Sequence, residues 1–369
     1  MRLLQKECGK CLRHPFLWIV CITFGLFQFL SIYTYVGNAG MRKELRQMHV
    51  AVTDEETASP EFERAYADYK KTYGGMYDTL DMRKILEQKE KMSGYEPQGV
   101  WGSWIVRNYD RLQKRVEQIR KTGEGTYDFY PGSWYKLHTT LYGKLWKKLI
   151  LQTAVLMILS MLYLMDYERI YKTQDLVLAT TTGKKMMEKK MLAGALCGLF
   201  YAGLLTAFTL LVFFAAVPFQ NLWHVPVAAC MVAEPRLQMM YPFVTFWRLE
   251  QWRYLLLALV VLVGLLGIIA AVTAAVQLFL QNSYFSFAVL GLLFMGAYLL
   301  AYVQMGNVWD LIREFFNPTV LYATSGGWFM ENDLCLSFAG NEFAVLFCSG
   351  TAAVCLMAVG KRRYHRLEV

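Results

Sequence analysis

The sequence predicts an all-α membrane protein, with six transmembrane helices and a large helical extracellular insertion between helices 1 and 2. Three observations carry this prediction: 56% of the 369 residues are hydrophobic, only 18% are charged, and the apolar residues are gathered into long runs. The mean hydropathy is correspondingly positive, at +0.27. A water-soluble fold of this size cannot hide such runs, so the composition excludes a soluble enzyme, a disordered protein and a secreted disulfide scaffold.

Six stretches of the sequence contain no Asp, Glu, Lys, Arg or His. Each stretch is long enough to cross a hydrocarbon core of roughly 30 Å. All six are predicted to be helical, because in lipid only a helix satisfies its own backbone within one segment. They are Phe16–Val36, Leu149–Met165, Met191–Val217, Tyr254–Leu280, Tyr284–Val303 and Phe343–Gly360.

The distribution of positive charge predicts how these helices are oriented. The net charge is +9, and basic residues cluster before the first run, between the second and third runs, and after the last run. Cytoplasmic segments of membrane proteins carry such an excess of Lys and Arg. Both termini are therefore predicted to be cytoplasmic, and the charge indicates membrane lipid as the partner, and no nucleic acid.

This orientation divides the chain into three parts, and the third part contains three loops and the C-terminus. The parts are 1–36, a cytoplasmic N-terminus with the first transmembrane helix; 37–148, an extracellular helical domain; and 149–369, the five further transmembrane helices. The segments are a cytoplasmic loop at 166–190, outer loops at 218–253 and 304–342, and a cytoplasmic C-terminus at 361–369. The pairs Asn317-Pro318 and Gly326-Gly327 in the last outer loop predict a segment that dips back toward the membrane.

The segment 37–148 differs from the rest in composition, with charges of both signs and no cysteine. Helical spacing predicts helices at Pro60–Lys71, Thr79–Met92 and Trp101–Lys121, with glycine-containing breaks between them. The last of these carries one apolar stripe, formed by Trp104, Ile105, Tyr109, Leu112 and Val116. The simplest interpretation is a small bundle that stands on the first two spans, and a receptor-like role is the alternative.

Several kinds of chemistry are missing from the sequence. It has no Gly-x-x-x-x-Gly-Lys-Ser/Thr run, no His-Glu-x-x-His, no Gly-x-Ser-x-Gly and no metal-spaced histidine cluster. The chain is therefore predicted not to be an enzyme and to hold no cofactor or metal of its own. The six runs carry no ionisable group, which argues against an ion-coupled carrier, although backbone carbonyls and hydroxyls can also bind sodium.

The cysteines are predicted to be structural. Cys8-x-x-Cys11 is interpreted as two incidental thiols rather than a zinc or redox site, because the terminus offers no obvious further ligands. Cys230 and Cys335 fall in outer loops, where a disulfide is permitted but not implied.

Small residues recur every fourth position on the third run, at Gly194, Gly198 and Ala202. Such a stripe lets another helix approach closely. Packing within the chain is the favoured interpretation, and dimerisation through this face is the alternative.

The loop 166–190 carries an apolar patch on a charged segment, formed by Leu176, Val177 and Leu178. A polar turn, Thr180–Thr182, follows the patch and ends at Gly183. Such a patch suits insertion into the groove of a soluble partner. The alternative is a loop that lies on anionic lipid through its lysines.

This loop resembles that of a known family, the permease subunits of type-2 ATP-binding-cassette exporters, particularly those of Gram-positive bacteria. Their pattern is an acidic residue after the second span, an apolar pair, a Ser/Thr-rich turn, glycine with a basic residue, and a lysine entering the third span. The matching positions are Glu168, Leu176, Leu178, Thr180–Thr182, Gly183, Lys184 and Lys190. The six spans and the insertion match as well. Lys172 is a departure, because many members carry a glycine near this position. The bend of the loop is therefore not implied by the resemblance.

The resemblance implies a partnership in the bacterial plasma membrane. Two permease subunits, identical or paralogous, would enclose a pathway, and each loop would dock on a separate ATPase subunit that binds ATP and Mg²⁺. Leu176, Val177 and Leu178 would supply the packing contact, with polar pairing from Glu168, Lys184 and Lys185. A hydrophobic or amphipathic cargo (a lipid, an antibiotic or a peptide) would fit the uncharged spans. A membrane sensor with a ligand-binding extracellular domain is the alternative function, and a carrier using backbone-coordinated ions is a third.

Overall fold

The structure, a computed structural model, describes residues 2–38, 42, 64, 67–68, 71, 75–93, 99–126, 137–173, 183–217, 219, 222–231, 242–303, 308–331 and 338–367. This part of the chain contains helices and two isolated β-bridges, and it has no β-strand. Its helices of nine residues or more are α1 (Arg2–Leu12), α2 (Pro15–Gly37), α3 (Met82–Ser93), α4 (Gly99–Thr122), α5 (Trp146–Met165), α6 (Gly183–Ala216), α7 (Gln251–Leu280), α8 (Ser283–Ala301), α9 (Val308–Phe316) and α10 (Asn341–Leu367).

Six helical segments in the described part of the chain are long and apolar enough to cross a membrane, which confirms the six predicted spans. They run Pro15–Gly37, Thr139–Met165, Met186–Ala216, Gln251–Leu280, Ser283–Ala301 and Asn341–Tyr364. We refer to them as the first to the sixth span.

The second span is longer than the charge-free run that predicted it. It begins at Thr139 rather than at Leu149, because a seven-residue π-helix, Thr139–Leu145, leads without a break into α5. The charge-free criterion stopped at Lys148, but a lysine near a helix end keeps its stem in apolar surroundings while its ammonium group reaches outward. The insertion therefore ends before Thr139.

The second span also lies at the centre of the bundle. α5 packs against α2, α6 and α7, and α7 packs in turn against α10. The side chains of Leu149, Leu156 and Met157 on α5 are completely buried. The fifth span, α8, lies at the periphery and leaves Leu292 and Leu299 exposed. The fold thus combines one enclosed helix with a helix whose apolar side chains face outward.

The small residues of the third span pack within the chain. A Cβ atom added to Gly194 would lie 3.0 Å from the Cα atom of Met161, and one added to Gly198 would lie 3.0 Å from the Cα atom of Met157. Ala202, one turn further along, is buried. The stripe brings α6 and α5 close together, so its contact in this structure is intrachain.

We expect Gly198→Leu to lower the free energy of unfolding by about 1–3 kcal/mol, because overpacking a tight helix contact displaces the backbone. The matched control is Gly203→Leu on the same helix, where no atom lies within 4 Å of the added Cβ position. Denaturation of both purified variants in mixed micelles measures the difference. Equal stability of the two would contradict this close approach of α5 and α6.

Two of the three helices predicted in the insertion are present, as α3 and α4. The predicted helix Pro60–Lys71 lies largely outside the described residues. The predicted stripe of α4 is buried against α3 and the turn before it, in a cluster that includes Tyr77, Met82 and Ile85. Its buried members are Ile105, Tyr109, Leu112 and Val116, with Trp104 partly buried beside them.

In the described part of the chain, the insertion contacts the loop between the third and fourth spans, a contact that the sequence did not predict. Its apolar cluster includes Ala228 and Val244 from the loop between the third and fourth spans. The Tyr77 hydroxyl donates to the carbonyl oxygen of Ala228 at 3.2 Å and to that of Phe243 at 3.0 Å. The insertion and this loop therefore share one face of the molecule.

The loop between the fifth and sixth spans turns back along the spanning helices. The Asn317 amide donates to the carbonyl oxygen of Ala297 at 2.7 Å, and the Ser349 hydroxyl donates to that of Phe315 at 3.0 Å. Ser349 lies eight residues into α10, which is roughly 12 Å along the helix axis. The segment that contains α9 therefore descends beside α8 and α10.

This segment carries charged side chains to the end of the fifth span, where Arg313 Nη1 donates to the Leu300 carbonyl oxygen at 3.4 Å. Arg313 lies 3.5 Å from Asp310 and 3.2 Å from Glu314, measured between the nearest nitrogen and oxygen atoms. Asp310 and Glu314 are buried. The charge-free runs missed these groups because they lie on a separate short helix rather than on a spanning one.

Candidate functional site

An amphipathic N-terminal helix, α1, lies against the spans on the face opposite to the insertion. Its buried and partly buried apolar residues recur at helical spacing: Leu4, Cys8, Cys11 and Leu12. The helix ends before Pro15, whose ring suits the first turn of α2 but not the interior of a continuous helix. The Tyr201 hydroxyl of α6 donates to the carbonyl oxygen of Cys11 at 3.4 Å, which fixes α1 on the third span.

Four charged side chains meet where α1 and the ends of the second and third spans converge. We call Glu7, Lys10, Glu168 and Lys190 the charged cluster. Lys10 Nζ lies 2.7 Å from Glu7 Oε1 and 3.4 Å from Glu168 Oε1. Lys190 Nζ forms an ion pair with the other oxygen of the Glu168 carboxylate, Oε2. The cluster thus joins three segments that are distant in sequence.

The charges of the cluster balance, which allows them to be buried. Glu7, Glu168 and Lys190 are each 6% exposed or less, and removing a charge from water costs several kcal/mol unless the charge is paired. Lys10 is the most exposed member, and its ammonium group lies 4.4 Å from the centroid of the Tyr167 ring. Loss of any one member leaves a net charge in the cluster.

Other polar contacts tie the same region to the fifth and sixth spans. Asp166, at the end of α5, accepts a hydrogen bond from the backbone N–H of Ser283 at 3.3 Å, and the Ser283 hydroxyl donates to the carbonyl oxygen of Leu162 at 3.2 Å. Lys361 of α10 forms an ion pair with Glu188 of α6. The base of the loop 166–190 therefore contacts three other helices, α1, α8 and α10.

The chain turns sharply just after Glu168. The backbone N–H of Thr173 donates to the Glu168 carbonyl oxygen at 2.8 Å, and Lys172 has a φ of 54°, in the left-handed region that favours glycine. The departure of Lys172 from the exporter pattern put this bend in doubt. Lys172 itself adopts the left-handed conformation that glycine would adopt readily. The bend therefore forms here without a glycine.

The predicted site residues divide into those that the structure brings together and those outside its description. Glu168 and Lys190 meet directly in the charged cluster. Gly183 is the first residue of α6, and Lys184 and Lys185 lie in its first turn. The side chains of these lysines are outside the described part of the chain, and so are Leu176, Val177 and Leu178.

Sequence reasoning missed Glu7, Lys10 and Asp166 as members of this region. Lys10 was counted only as part of the basic N-terminus that sets orientation. A usable signal was present, since Glu7 is an isolated acidic residue on a helix whose apolar residues recur at helical spacing. A carboxylate on such a helix indicates a specific basic partner rather than a lipid surface.

The thiols nearby have surroundings that disfavour reactivity. The Cys197 thiol lies 3.8 Å from the Cys8 carbonyl oxygen. Burial, with the neighbouring Cys197 thiol and Glu7 carboxylate, raises the pKa of Cys8 to about 11, so this thiol is protonated at neutral pH. Within the described residues no group of three or more His, Cys, Asp or Glu side chains is arranged to hold a metal ion. Cys230 is a buried free thiol, and Cys335 lies outside the described residues.

Comparison with known proteins gives no relative for this chain. No protein-family model matches it, and neither does any curated protein or solved structure. An inference about function therefore depends on the residues of the chain itself and on the resemblance of the loop pattern.

Proposed function

We propose that the chain is the membrane-spanning permease subunit of an ATP-binding-cassette exporter in a bacterial plasma membrane. It pairs with a second permease subunit, identical or paralogous, and is driven by a separate ATPase subunit that binds ATP and Mg²⁺. The observation that supports this most is the buried Glu168–Lys190 ion pair, which closes the loop 166–190 at its base.

A loop that transmits force requires its two ends to be joined, and here the Glu168–Lys190 ion pair joins them. A push on the tip of the loop moves the ends of the second and third spans together, because the ion pair joins them. Lys10 extends the connection to α1, and Asp166 extends it to the start of the fifth span. The transition is then a rigid-body movement, in which nucleotide binding in the ATPase favours one of two arrangements of the spans.

The tip of the loop makes the contact with the ATPase. Leu176, Val177 and Leu178 fill an apolar groove on that subunit, and Lys184 and Lys185 pair with acidic groups beside it. The cargo is hydrophobic or amphipathic. Exposed apolar side chains on the fifth span, such as Leu292 and Leu299, agree with a pathway that is completed by a second subunit and by lipid.

The test is coupling in a reconstituted complex of the permease with its ATPase. The variant Leu176→Asp/Lys184→Glu/Lys185→Glu is expected to insert normally and to lose the stimulation of ATP hydrolysis and the transport that depends on it. The matched control is Leu3→Asp/Lys6→Glu, on exposed positions of α1 at the same face, which keeps both. Unchanged coupling in the loop variant, or transport by the permease alone without a nucleotide-hydrolysing partner, contradicts the proposal.

A membrane sensor remains the second candidate, and one observation favours it. The insertion contacts the outer loops through buried polar groups, among them a hydrogen bond of 3.1 Å from Arg115 Nε to the Thr245 carbonyl oxygen. Such a contact could transmit ligand binding from the insertion to the spans. A sensor would respond to an added ligand without any ATPase present, whereas an exporter subunit would not.

A further inference from the structure

An open cleft lies between the outer parts of the first and second spans. Its volume is about 330 Å³. One wall is lined by Ser31 and Thr34 of α2 and by Asn38, which directly follows that helix. The second span lines the other wall with Thr140, Lys144 and Lys148, which recur every fourth residue along the π-helix and the start of α5.

The chemistry of the cleft is basic and rich in hydrogen-bonding groups. Lys144 and Lys148 are its charged lining residues, and none of the described lining residues is acidic. Lys148 Nζ donates to the Ser31 hydroxyl at 3.1 Å, so one lysine is held across the cleft by a neutral partner. Two ammonium groups without a carboxylate, surrounded by hydroxyls, suit a phosphate group.

The position of the cleft is at a membrane boundary. The lining residues lie within the last two turns of α2 and the first turns of the second span, next to side chains that face outward. Phe27 and Tyr33 on α2 are 51% and 59% exposed, and the Lys148 ammonium group lies 5.3 Å from the centroid of the Phe27 ring. A ligand in the cleft would therefore have its polar group beside the lysines and an apolar part along α2.

From these observations we propose that the cleft binds the phosphate head group of an anionic phospholipid. Its acyl chains lie along the exposed apolar face of the first span. This inference is independent of the proposed exporter function, because it concerns a lipid held at one boundary and not the driving force of transport.

Lys147 provides an internal contrast. It is adjacent to Lys148 in sequence, but its ammonium group donates to the Ala323 carbonyl oxygen at 3.1 Å and lies 5.5 Å from the centroid of the Tyr322 ring. It does not line the cleft. Lys147→Gln therefore removes one positive charge at the same membrane depth without changing the cleft.

The test is lipid binding by the full-length protein in a neutral detergent, measured by native mass spectrometry. Phosphatidylglycerol, phosphatidylcholine and inorganic phosphate are titrated separately. Lys144→Gln/Lys148→Gln is expected to bind phosphatidylglycerol about 30-fold more weakly than the unaltered protein, from about 1 kcal/mol for each lysine. Lys147→Gln binds it as the unaltered protein does. Lys144→Arg/Lys148→Arg retains most of the affinity, which separates loss of charge from loss of folding.

Three results would overturn the inference. One is equal phosphatidylglycerol binding by the double Gln variant and the unaltered protein, and another is an equal loss in Lys147→Gln. The third is displacement of phosphatidylglycerol by millimolar inorganic phosphate, which would identify free phosphate as the ligand. Stronger binding of phosphatidylglycerol than of phosphatidylcholine, with the lysine dependence above, supports it. None of these readouts involves the ATPase, so failure here leaves the exporter proposal to its own test.

Discussion

Glu168→Ala is expected to lower the free energy of unfolding by about 3–5 kcal/mol, which is the usual cost of leaving a buried charge without its partner. Glu168 is 6% exposed and Lys190 is 4% exposed, so water cannot replace the lost carboxylate at little cost. The substitution also removes the partner that Lys10 has at 3.4 Å. The measurement is denaturation of the purified protein in mixed micelles.

A double variant distinguishes the charge from the volume of the side chain. Glu168→Leu/Lys190→Met removes both charges of the pair and keeps apolar volume, so it is expected to recover most of the lost stability. If the double variant is as unstable as Glu168→Ala, the ion pair does not account for the loss. Because Glu168 contacts both Lys190 and Lys10, the coupling energy of the Glu168–Lys190 pair has to be taken from the complete double-mutant cycle.

Arg115→Met is expected to have a comparable effect on the docking of the insertion, about 3–5 kcal/mol. The Arg115 guanidinium forms two hydrogen bonds with the Glu124 carboxylate, one of them at 3.3 Å between Nη1 and Oε1, and also reaches the Thr245 carbonyl oxygen. Both members of the pair are buried. Removing Arg115 leaves the Glu124 carboxylate with Arg248 at 3.7 Å as its remaining basic partner.

Hydrogen exchange of the α4 amides measures this effect, since their protection reports the local opening of the insertion. Arg83→Met is the control, because Arg83 forms an ion pair with Asp110 of the same helix α4, but at an exposed position. The Arg83 guanidinium holds the pKa of Asp110 below its usual range, yet solvent screens such a pair and no detectable loss of protection is expected. Equal losses in the two variants would contradict the assigned role of burial.

The spans and the stripe of α4 could be predicted from sequence because both are local patterns. A run without charge marks a spanning helix, and apolar residues at helical spacing mark a buried face. The start of the second span at Thr139 could not be predicted in this way. Three lysines interrupt the apolar pattern there, whereas the backbone hydrogen bonds continue through the π-helix.

The charged cluster could be predicted only in part. Glu168 and Lys190 were singled out by their order around the loop, but their direct contact was not expected. Lys10 and Glu168 are 158 positions apart, and no local pattern records such a contact. The contact of the insertion with Ala228 and Val244 was not predicted for the same reason, since these residues are more than 100 positions away from α4.

The contacts of the insertion restrict how this face of the molecule can change shape. Lys89 forms an ion pair with Glu331 after the fifth span, while Arg115 holds Thr245 before the fourth. The insertion thus connects two loops of the bundle, and separating those loops would break the Lys89–Glu331 ion pair or the Arg115–Thr245 hydrogen bond. A change of shape on this face is therefore expected away from these contacts, beside the first span.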